Sequence, residues 1–174
     1  MKWEEFAMRK ATVLVVLLGC LGVFALSAFG EEKKASKAAA PAKHVILSQA
    51  DLKWGDAPPN FPAGAKMVVL QGDPGKPGMF TIRLKVPDGY KVAAHWHPTD
   101  EQLTVIKGTF NLGTGDKLDE TKTTAMTAGA FGSMPAKMRH YAWTKGETEV
   151  QVSAMGPFKL IYVNPADDPS KAKK

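Results

Sequence analysis

Residues 89–108 read GYKVAAHWHPTDEQLTVIKG and contain two of the four histidines of the 174-residue chain. If this segment is extended, its side chains alternate between two faces, so His95 and His97 point the same way and Trp96 points the opposite way. Glu101 follows across a short bend, close enough to fold back towards both imidazoles. The stretch therefore predicts a strand end that presents two nitrogen donors and one carboxylate on one face.

A third histidine, His140, lies in MPAKMRHYAW at residues 134–143, which predicts a strand able to pair with the first. Three imidazoles and one carboxylate would then converge from two strands on a single metal ion. A bare His-x-His pair is more often exposed or hydrogen-bonded than metal-bound. The metal interpretation therefore depends on the surrounding sequence.

The surrounding sequence has an apolar period of two, which is typical of β-strands with one buried face. Alternating or β-branched segments occur at residues 80–86, 103–106, 148–153 and 158–163. Short clusters of Gly, Pro, Asp and Asn separate them, as turns do. Many short strands and no long helical pattern predict an all-β antiparallel sandwich or barrel.

The region between residues 51 and 66, DLKWGDAPPNFPAGAK, is too rich in Pro and Gly for regular structure. It is interpreted as an irregular N-terminal arm that wraps the barrel. Trp54 and Phe61 are the expected anchors of this arm, because large aromatic side chains bury the most apolar surface.

The first thirty residues have the pattern of a secretory signal peptide. Basic residues precede an apolar run that extends to Phe29, and small residues follow before the acidic pair at Glu31. Cleavage near Gly30 would place the protein in the periplasm or outside the cell, without stable membrane association. Two alternatives remain, an uncleaved membrane anchor and a lipid anchor on Cys20, which lies in LLGC.

The segments on either side of the core carry much of the positive charge. Residues 31–43 and 167–174 are rich in Lys and are predicted to be a disordered spacer and a disordered tail, leaving 44–166 as one domain. The chain has a net charge of +6, but residues 44–166 contain 13 basic and 11 acidic side chains. This balance gives no basis for a nucleic-acid surface.

Cys20 is the only cysteine, so cleavage near Gly30 would leave none in the mature chain. Thiolate ligands and a cysteine nucleophile are then excluded, and any metal must be held by nitrogen and oxygen donors. The sequence also has no phosphate-binding glycine loop and no dinucleotide fingerprint. Catalytic residues outside the metal hypothesis are not identified, and no organic cofactor is predicted.

The spacing of these residues resembles the first motif of the cupin superfamily. That motif is a glycine, five residues, His-x-His, three or four residues, a glutamate, six residues and a glycine. The chain meets every spacing with Gly89, His95, His97, Glu101 and Gly108.

A second cupin motif is matched in part. The expected glycine, proline and histidine fall at Gly129, Pro135 and His140. Lys137 stands where the motif has a glycine, and Thr144 stands where it has an asparagine. The stretch at residues 95–110 also resembles a group of small exported bacterial cupins with no assigned function.

The resemblance implies a jelly-roll barrel whose mouth holds a six-coordinate divalent metal. The implied protein ligands are His95, His97, Glu101 and His140, with two positions left for water, substrate or dioxygen. Mn or Fe is favoured because both are frequent among cupins with this ligand set, and Zn, Ni and Cu are the alternatives.

Three functions are compatible with a metal-binding cupin barrel. The first is an exported metal-dependent oxygenase, or an isomerase or lyase, acting on a small polar or anionic substrate. The second is a non-catalytic module in which the metal binds a small molecule or stabilises the barrel. The third is periplasmic copper handling, which rests on Met134, Met138 and Met155 near the sites. The expected partner is a small molecule. Trp96, Tyr141 and Trp143 should face away from the metal if their strands are regular, and such outward-facing aromatic residues are compatible with a homodimer.

Overall fold

The computed structural model describes residues 44–171, so the predicted signal peptide and the whole predicted spacer lie outside the described residues. Within this range the chain is all-β and has no α-helix. No helix of the described residues has the length and apolar character needed to span a membrane. The nine strands are β1 (Gly55–Asp56), β2 (Lys66–Gln71), β3 (Gly78–Val86), β4 (Lys91–Trp96), β5 (Glu101–Thr114), β6 (Thr124–Thr127), β7 (Phe131–Met134), β8 (His140–Gly156) and β9 (Ile161–Tyr162).

The strands form one curled antiparallel sheet in which β8 is the central element. Along one edge, β8 pairs first with β4 and then with β3, and β3 continues the sheet to β2 and β1. Along its other edge β8 pairs with β5, which also pairs with β6 and β7. This arrangement is the antiparallel jelly-roll barrel that the sequence predicts.

The curl of the sheet comes from bends inside its two longest strands. The register of β5 against β8 shifts on both sides of Lys107, and Gly108 there has φ 78°. A Cβ on Gly108 would lie 2.5 Å from the carbonyl oxygen of Glu147, so only glycine allows the two backbones to approach this closely. Lys107 and Gly108 therefore form a bend within β5.

The predicted alternation along residues 80–86 is confirmed, because Phe80, Ile82 and Val86 are buried on the inner face of β3. The valines of β5 and β8 at positions 105, 150 and 152 pack against Phe80 and Ile82. Burying each such side chain contributes about 1.5–3 kcal/mol. The inner face of the sheet is therefore the hydrophobic core.

Two predicted strands are shorter in the structure. Of residues 158–163, only Ile161–Tyr162 is a strand, and the preceding segment is irregular. Of residues 134–143, the part between Pro135 and Arg139 is a turn, and β8 begins at His140. Both irregular segments lie beside the histidines. Their carbonyl groups at Met138 and Lys159 point towards the imidazoles of His140 and His97.

The N-terminal arm is ordered and contacts the barrel at the two predicted anchors. The ammonium group of Lys85 lies 4.4 Å from the centre of the Trp54 ring. Phe61 packs against the buried cluster that contains Tyr90 and Tyr162. Burial raises the pKa of both tyrosines, that of Tyr162 to about 12, so their hydroxyl groups remain protonated donors.

Four short 3-10 helices complete the described chain. Two of them, Pro165–Asp167 and Pro169–Lys171, follow β9. Regular backbone therefore continues into the segment that the sequence predicts to be a disordered tail.

Candidate metal centre

Strand β4 presents His95 to the interior, and His97 follows directly after its end. The register of β4 against β8 shifts between Val92 and His95, so the chain contains an extra residue at this point. Because of this bulge, Val92, His95 and His97 all line the same cavity. Strict alternation would have turned Val92 to the opposite face.

His140 faces His95 directly, since the two residues are partners in the register of β4 and β8. The turn before His140 is held against the end of β4. The backbone N–H of Lys137 donates to the carbonyl oxygen of His97 at 2.8 Å, and that of Ala136 donates to the Asp100 carboxylate at 2.7 Å. The structure thus forms this turn although Lys137 replaces the glycine of the motif.

Glu101 begins β5 and is buried, like the three histidines. Its Oε2 lies 3.3 Å from Nε2 of His140 and 3.5 Å from Nε2 of His97. The carboxylate therefore lies beside the His97 and His140 imidazoles, and its role as a ligand stays a prediction.

The other ring nitrogen of each histidine is occupied by the backbone. The Nδ1 atoms of His95, His97 and His140 lie 2.7, 2.8 and 3.0 Å from the carbonyl oxygens of Ala93, Lys159 and Met138, in that order. A carbonyl oxygen only accepts, so each Nδ1 donates, and in the neutral ring the lone pair is on Nε2. Such bonds fix the tautomer and the orientation that a metal ligand needs.

Burial favours the neutral form of the His95 and His97 rings. Desolvation, together with the neighbouring His140 and His97, holds the pKa of His95 well below its usual range. Desolvation also lowers the pKa of His97, although the charge of Glu101 opposes this shift. Neutral imidazole is the form that coordinates a metal.

These residues fit a metal ion. Ligand atoms of His95, His97 and His140 all lie within 4.8 Å of one another. Among the described residues, Nε2 of His97 is the buried side-chain atom that has no hydrogen-bond partner. A buried polar atom without a partner is costly unless something binds it. The three imidazoles could therefore hold one ion, as the sequence predicts.

The irregular segment after β8 supports the site in a way that the sequence does not predict. The ring of Phe158 stacks on that of His97, with 4.2 Å between ring centres and 16° between planes. The next residue, Lys159, supplies the carbonyl that orients His97. The sequence at residues 158–163 shows only a strand pattern. It does not indicate these roles, because His97 and Lys159 are 62 positions apart and leave no local signal.

The three methionines considered for copper do not form one site. Met134 is buried and lines the same cavity as the histidines. Met138 and Met155 are exposed. Of the three sulfur atoms on which the copper interpretation rests, only that of Met134 therefore lies in the cavity with the imidazoles.

The outward-facing aromatic residues of β8 pack within the molecule. Tyr141 is buried against Gly113, and its hydroxyl donates to the carbonyl of Lys122. The indole N–H of Trp143 donates to the hydroxyl of Thr123. Residues 122 and 123 therefore bind the polar atoms of both side chains, and Trp143 stays half-buried.

Thr144, which replaces the asparagine of the second motif, links β8 to the turn between β3 and β4. Its buried hydroxyl accepts from the backbone N–H of Tyr90 at 3.0 Å and donates to the carbonyl of Pro87 at 2.8 Å. This turn precedes β4, which ends at Trp96 directly before His97, so Thr144 contributes to the position of β4.

Residues 42–159 match the ChrR cupin-like domain family. The chain belongs to this cupin family. The match covers both motifs and all four predicted ligands, and the recognition of a cupin from the sequence is confirmed. No curated protein matches the chain.

Solved structures of other cupins have the same fold as this cupin. The polyketide cyclase RemF from Streptomyces resistomycificus superposes with a TM-score of 0.62 at 16% identity, covering 74% of this chain and 92% of that one. An acetylacetone dioxygenase from Acinetobacter johnsonii gives 0.56 at 18% identity, with 72% and 82% covered. A protein from Methylibium petroleiphilum, provisionally assigned the same activity, gives 0.58 at 21% identity, with 75% and 88% covered. At these identities the likeness concerns the fold.

Proposed function

We propose that this cupin is an exported metal-dependent oxygenase that acts on a small molecule. His95, His97, His140 and Glu101 would hold one divalent ion, with Mn or Fe favoured. The observation that carries the proposal is the convergence of three buried imidazoles whose Nδ1 atoms are all bonded to carbonyl groups. The fold shared with two proteins described as acetylacetone dioxygenases agrees with it.

When bound, a divalent metal of this kind acts as a Lewis acid or activates dioxygen. The residues of the chain would have separate tasks around it. The carbonyl groups of Ala93, Lys159 and Met138 keep the three rings in one orientation. The aliphatic and aromatic walls of the cavity exclude water, which strengthens every electrostatic interaction inside it.

A second candidate function is a non-catalytic module in which the metal stabilises the barrel or helps to bind a ligand. The small cavity favours it, because its free volume is about 50 Å³. Pockets for drug-sized ligands typically measure roughly 300–1,000 Å³. A substrate of the oxygenase would therefore have to be small.

The first experiment is elemental analysis of residues 31–174 purified without chelators. We expect near-stoichiometric Mn or Fe in the wild type and none in a His97→Ala, His140→Ala double variant, because two of four ligands are lost. His44→Ala is the matched control, since His44 is exposed and the only histidine outside the site. Its metal content should equal that of the wild type.

Other outcomes separate the candidates. Oxygen uptake with small organic acids by the metal-loaded protein would support the oxygenase. A metal that stabilises the protein against unfolding without any uptake would favour the non-catalytic module, and stoichiometric copper would favour metal handling. If the wild type binds no metal even after reloading, the proposed site is wrong.

A further inference from the structure

We infer that the molecule bound beside this metal centre has one oxygen-bearing end and an otherwise apolar, uncharged body, and that Phe61 limits its length. The inference rests on the proposed metal site and deepens it by naming the class of ligand. It narrows the small polar or anionic substrate expected from the sequence.

The first support is the composition of the cavity wall. Apart from the four predicted ligands, the only lining side chain with a polar atom that donates or accepts strongly is Tyr90. The Tyr90 hydroxyl already donates to the carbonyl of Pro62 at 2.8 Å. All other lining side chains are aliphatic, aromatic or thioether: Phe61, Ile82, Leu84, Val86, Val92, Leu103, Phe110, Leu112, Met134, Ala142, Val150, Val152, Phe158 and Leu160.

The second support is the position of the positive charges. Lys137 and Arg139 lie near the site in sequence, but both are exposed, and Arg139 pairs with Asp116 at 2.6 Å. The side chain of Lys159 is also exposed, and only its carbonyl faces His97. A second anionic group on the ligand would therefore lose its hydration and meet no cation, which is strongly unfavourable.

The third support is the origin of Phe61. Every other lining residue belongs to the sheet, to the turn at its edge or to the segment 158–160, whereas Phe61 comes from the N-terminal arm. Its neighbours are held in place by two buried tyrosines. Tyr90 donates to the carbonyl of Pro62, and Tyr162 donates to the carbonyl of Asn60 at 2.9 Å. The half-buried Phe61 ring is therefore fixed at the wall of the cavity without being part of the sheet.

The test compares ligands that differ only in their far end. Butanoate and butanedioate are titrated calorimetrically into the metal-loaded protein, and hexanoate and hexanedioate follow. We expect butanoate to bind at least about tenfold more tightly than butanedioate, since the second carboxylate finds no partner. Equal affinity for butanoate and butanedioate would overturn the apolar-body part of the inference.

The role of Phe61 is tested with variants. In Phe61→Ala we expect hexanoate to gain about tenfold in affinity, because two further CH₂ groups can be buried. Phe61→Leu, which keeps an apolar side chain, should give a smaller gain and serves if the alanine variant does not fold. Phe131→Ala is the matched control, since Phe131 is exposed on β7. An equal gain in Phe131→Ala, or none in Phe61→Ala and Phe61→Leu, would contradict the role of Phe61.

A measurement without metal separates this inference from the proposed function. Dry apolar cavities bind xenon, so ¹²⁹Xe NMR of the metal-free protein should show binding that increases in Phe61→Ala. Xenon binding in a protein that takes up no metal would leave the apolar cavity standing while the proposed function fails. Metal uptake combined with equal affinity for mono- and dicarboxylates would support the proposed metal site while the inference about the ligand fails. No xenon binding in either protein would overturn the apolar cavity.

Discussion

Lys137 shows how one residue can depart from a motif while the geometry is kept. Its φ is 66°, in the left-handed region that glycine adopts freely and other residues adopt at a cost of about 1–2 kcal/mol. The turn nevertheless forms, because the Lys137 N–H bonds to the carbonyl of His97 and the Ala136 N–H bonds to Asp100. Lys137 is the only non-glycine residue with positive φ in the described chain.

We predict that Lys137→Gly stabilises the protein. Relief of the left-handed strain exceeds the added entropy of the unfolded chain, so the free energy of unfolding should rise by about 0.5–1 kcal/mol. Thermal unfolding should show a midpoint about 2–4 °C higher. Lys145→Gly, at an exposed position of β8, is the control and should be destabilising, since glycine weakens a strand. A lower midpoint for Lys137→Gly would show that the lysine side chain makes a compensating contact.

In the metal-free protein, His95 and His97 take up protons at different pH values in the folded and the unfolded state. Their folded-state pKa values are lowered, mainly by burial, from a reference value of 6.5. Above that pH both states are neutral, and the shift has no effect on stability. Below it the unfolded chain binds protons that the folded chain does not, so stability decreases as the pH falls.

We therefore predict that the metal-free protein loses stability below about pH 6.5, by at most about 1.4 kcal/mol per pH unit for each of His95 and His97. Urea unfolding between pH 8 and pH 5 in the presence of a chelator measures this. His95→Gln should remove about half of the slope, and His44→Ala should leave it unchanged. A slope that is the same in His95→Gln would mean that other groups cause it.

At the scale of elements, the site depends on where strands stop being regular. The bulge in β4 turns Val92 and His95 to one side, and the turn before β8 brings His140 opposite His95. The segment after β8 then places Phe158 on His97. Each of these three irregular segments places one side chain at the site that a regular strand would direct elsewhere.

The link between β8 and the turn before β4 should be measurable through Thr144. We predict that Thr144→Val, which keeps the volume and removes the hydroxyl, destabilises the protein by about 1–3 kcal/mol, because the buried N–H of Tyr90 and the part-buried carbonyl of Pro87 lose a partner. Denaturant unfolding measures the change. Thr127→Val, at an exposed position of β6, should change stability by less than about 0.5 kcal/mol. Equal effects of the two substitutions would refute the role of the Thr144 hydroxyl.

At the scale of the whole molecule, the chain combines a barrel with terminal segments of another composition. The described residues 44–171 contain the sheet, the arm and the histidines. The apolar run that ends at Phe29 precedes them in the sequence. Export therefore stays a prediction from the sequence.

We predict that the full chain, produced in a bacterial host, is recovered from the periplasm or the medium with a mass that corresponds to a start near Glu31. Intact mass spectrometry of the fractions measures this. A lipidated product would instead begin at Cys20, carry the mass of its lipid and change in Cys20→Ala. A membrane-bound chain that retains its first residues would exclude cleavage.

The sequence by itself determined the barrel, both histidine-bearing segments and the anchors Trp54 and Phe61. Side-chain alternation along a strand follows from backbone geometry, so the period of two identifies the inner face without any knowledge of partners. The spacing of Gly89, His95, His97 and Glu101 within one short stretch is local information of the same kind.

Only the tertiary structure decided which distant groups complete the site. Lys159 orients His97 from 62 positions away, Phe158 stacks on the same ring, and Phe61 lines the cavity from the arm. The sequence contains these residues, but their neighbours depend on how the sheet curls and where its strands end. Packing between elements sets those positions, and no local sequence pattern encodes this packing.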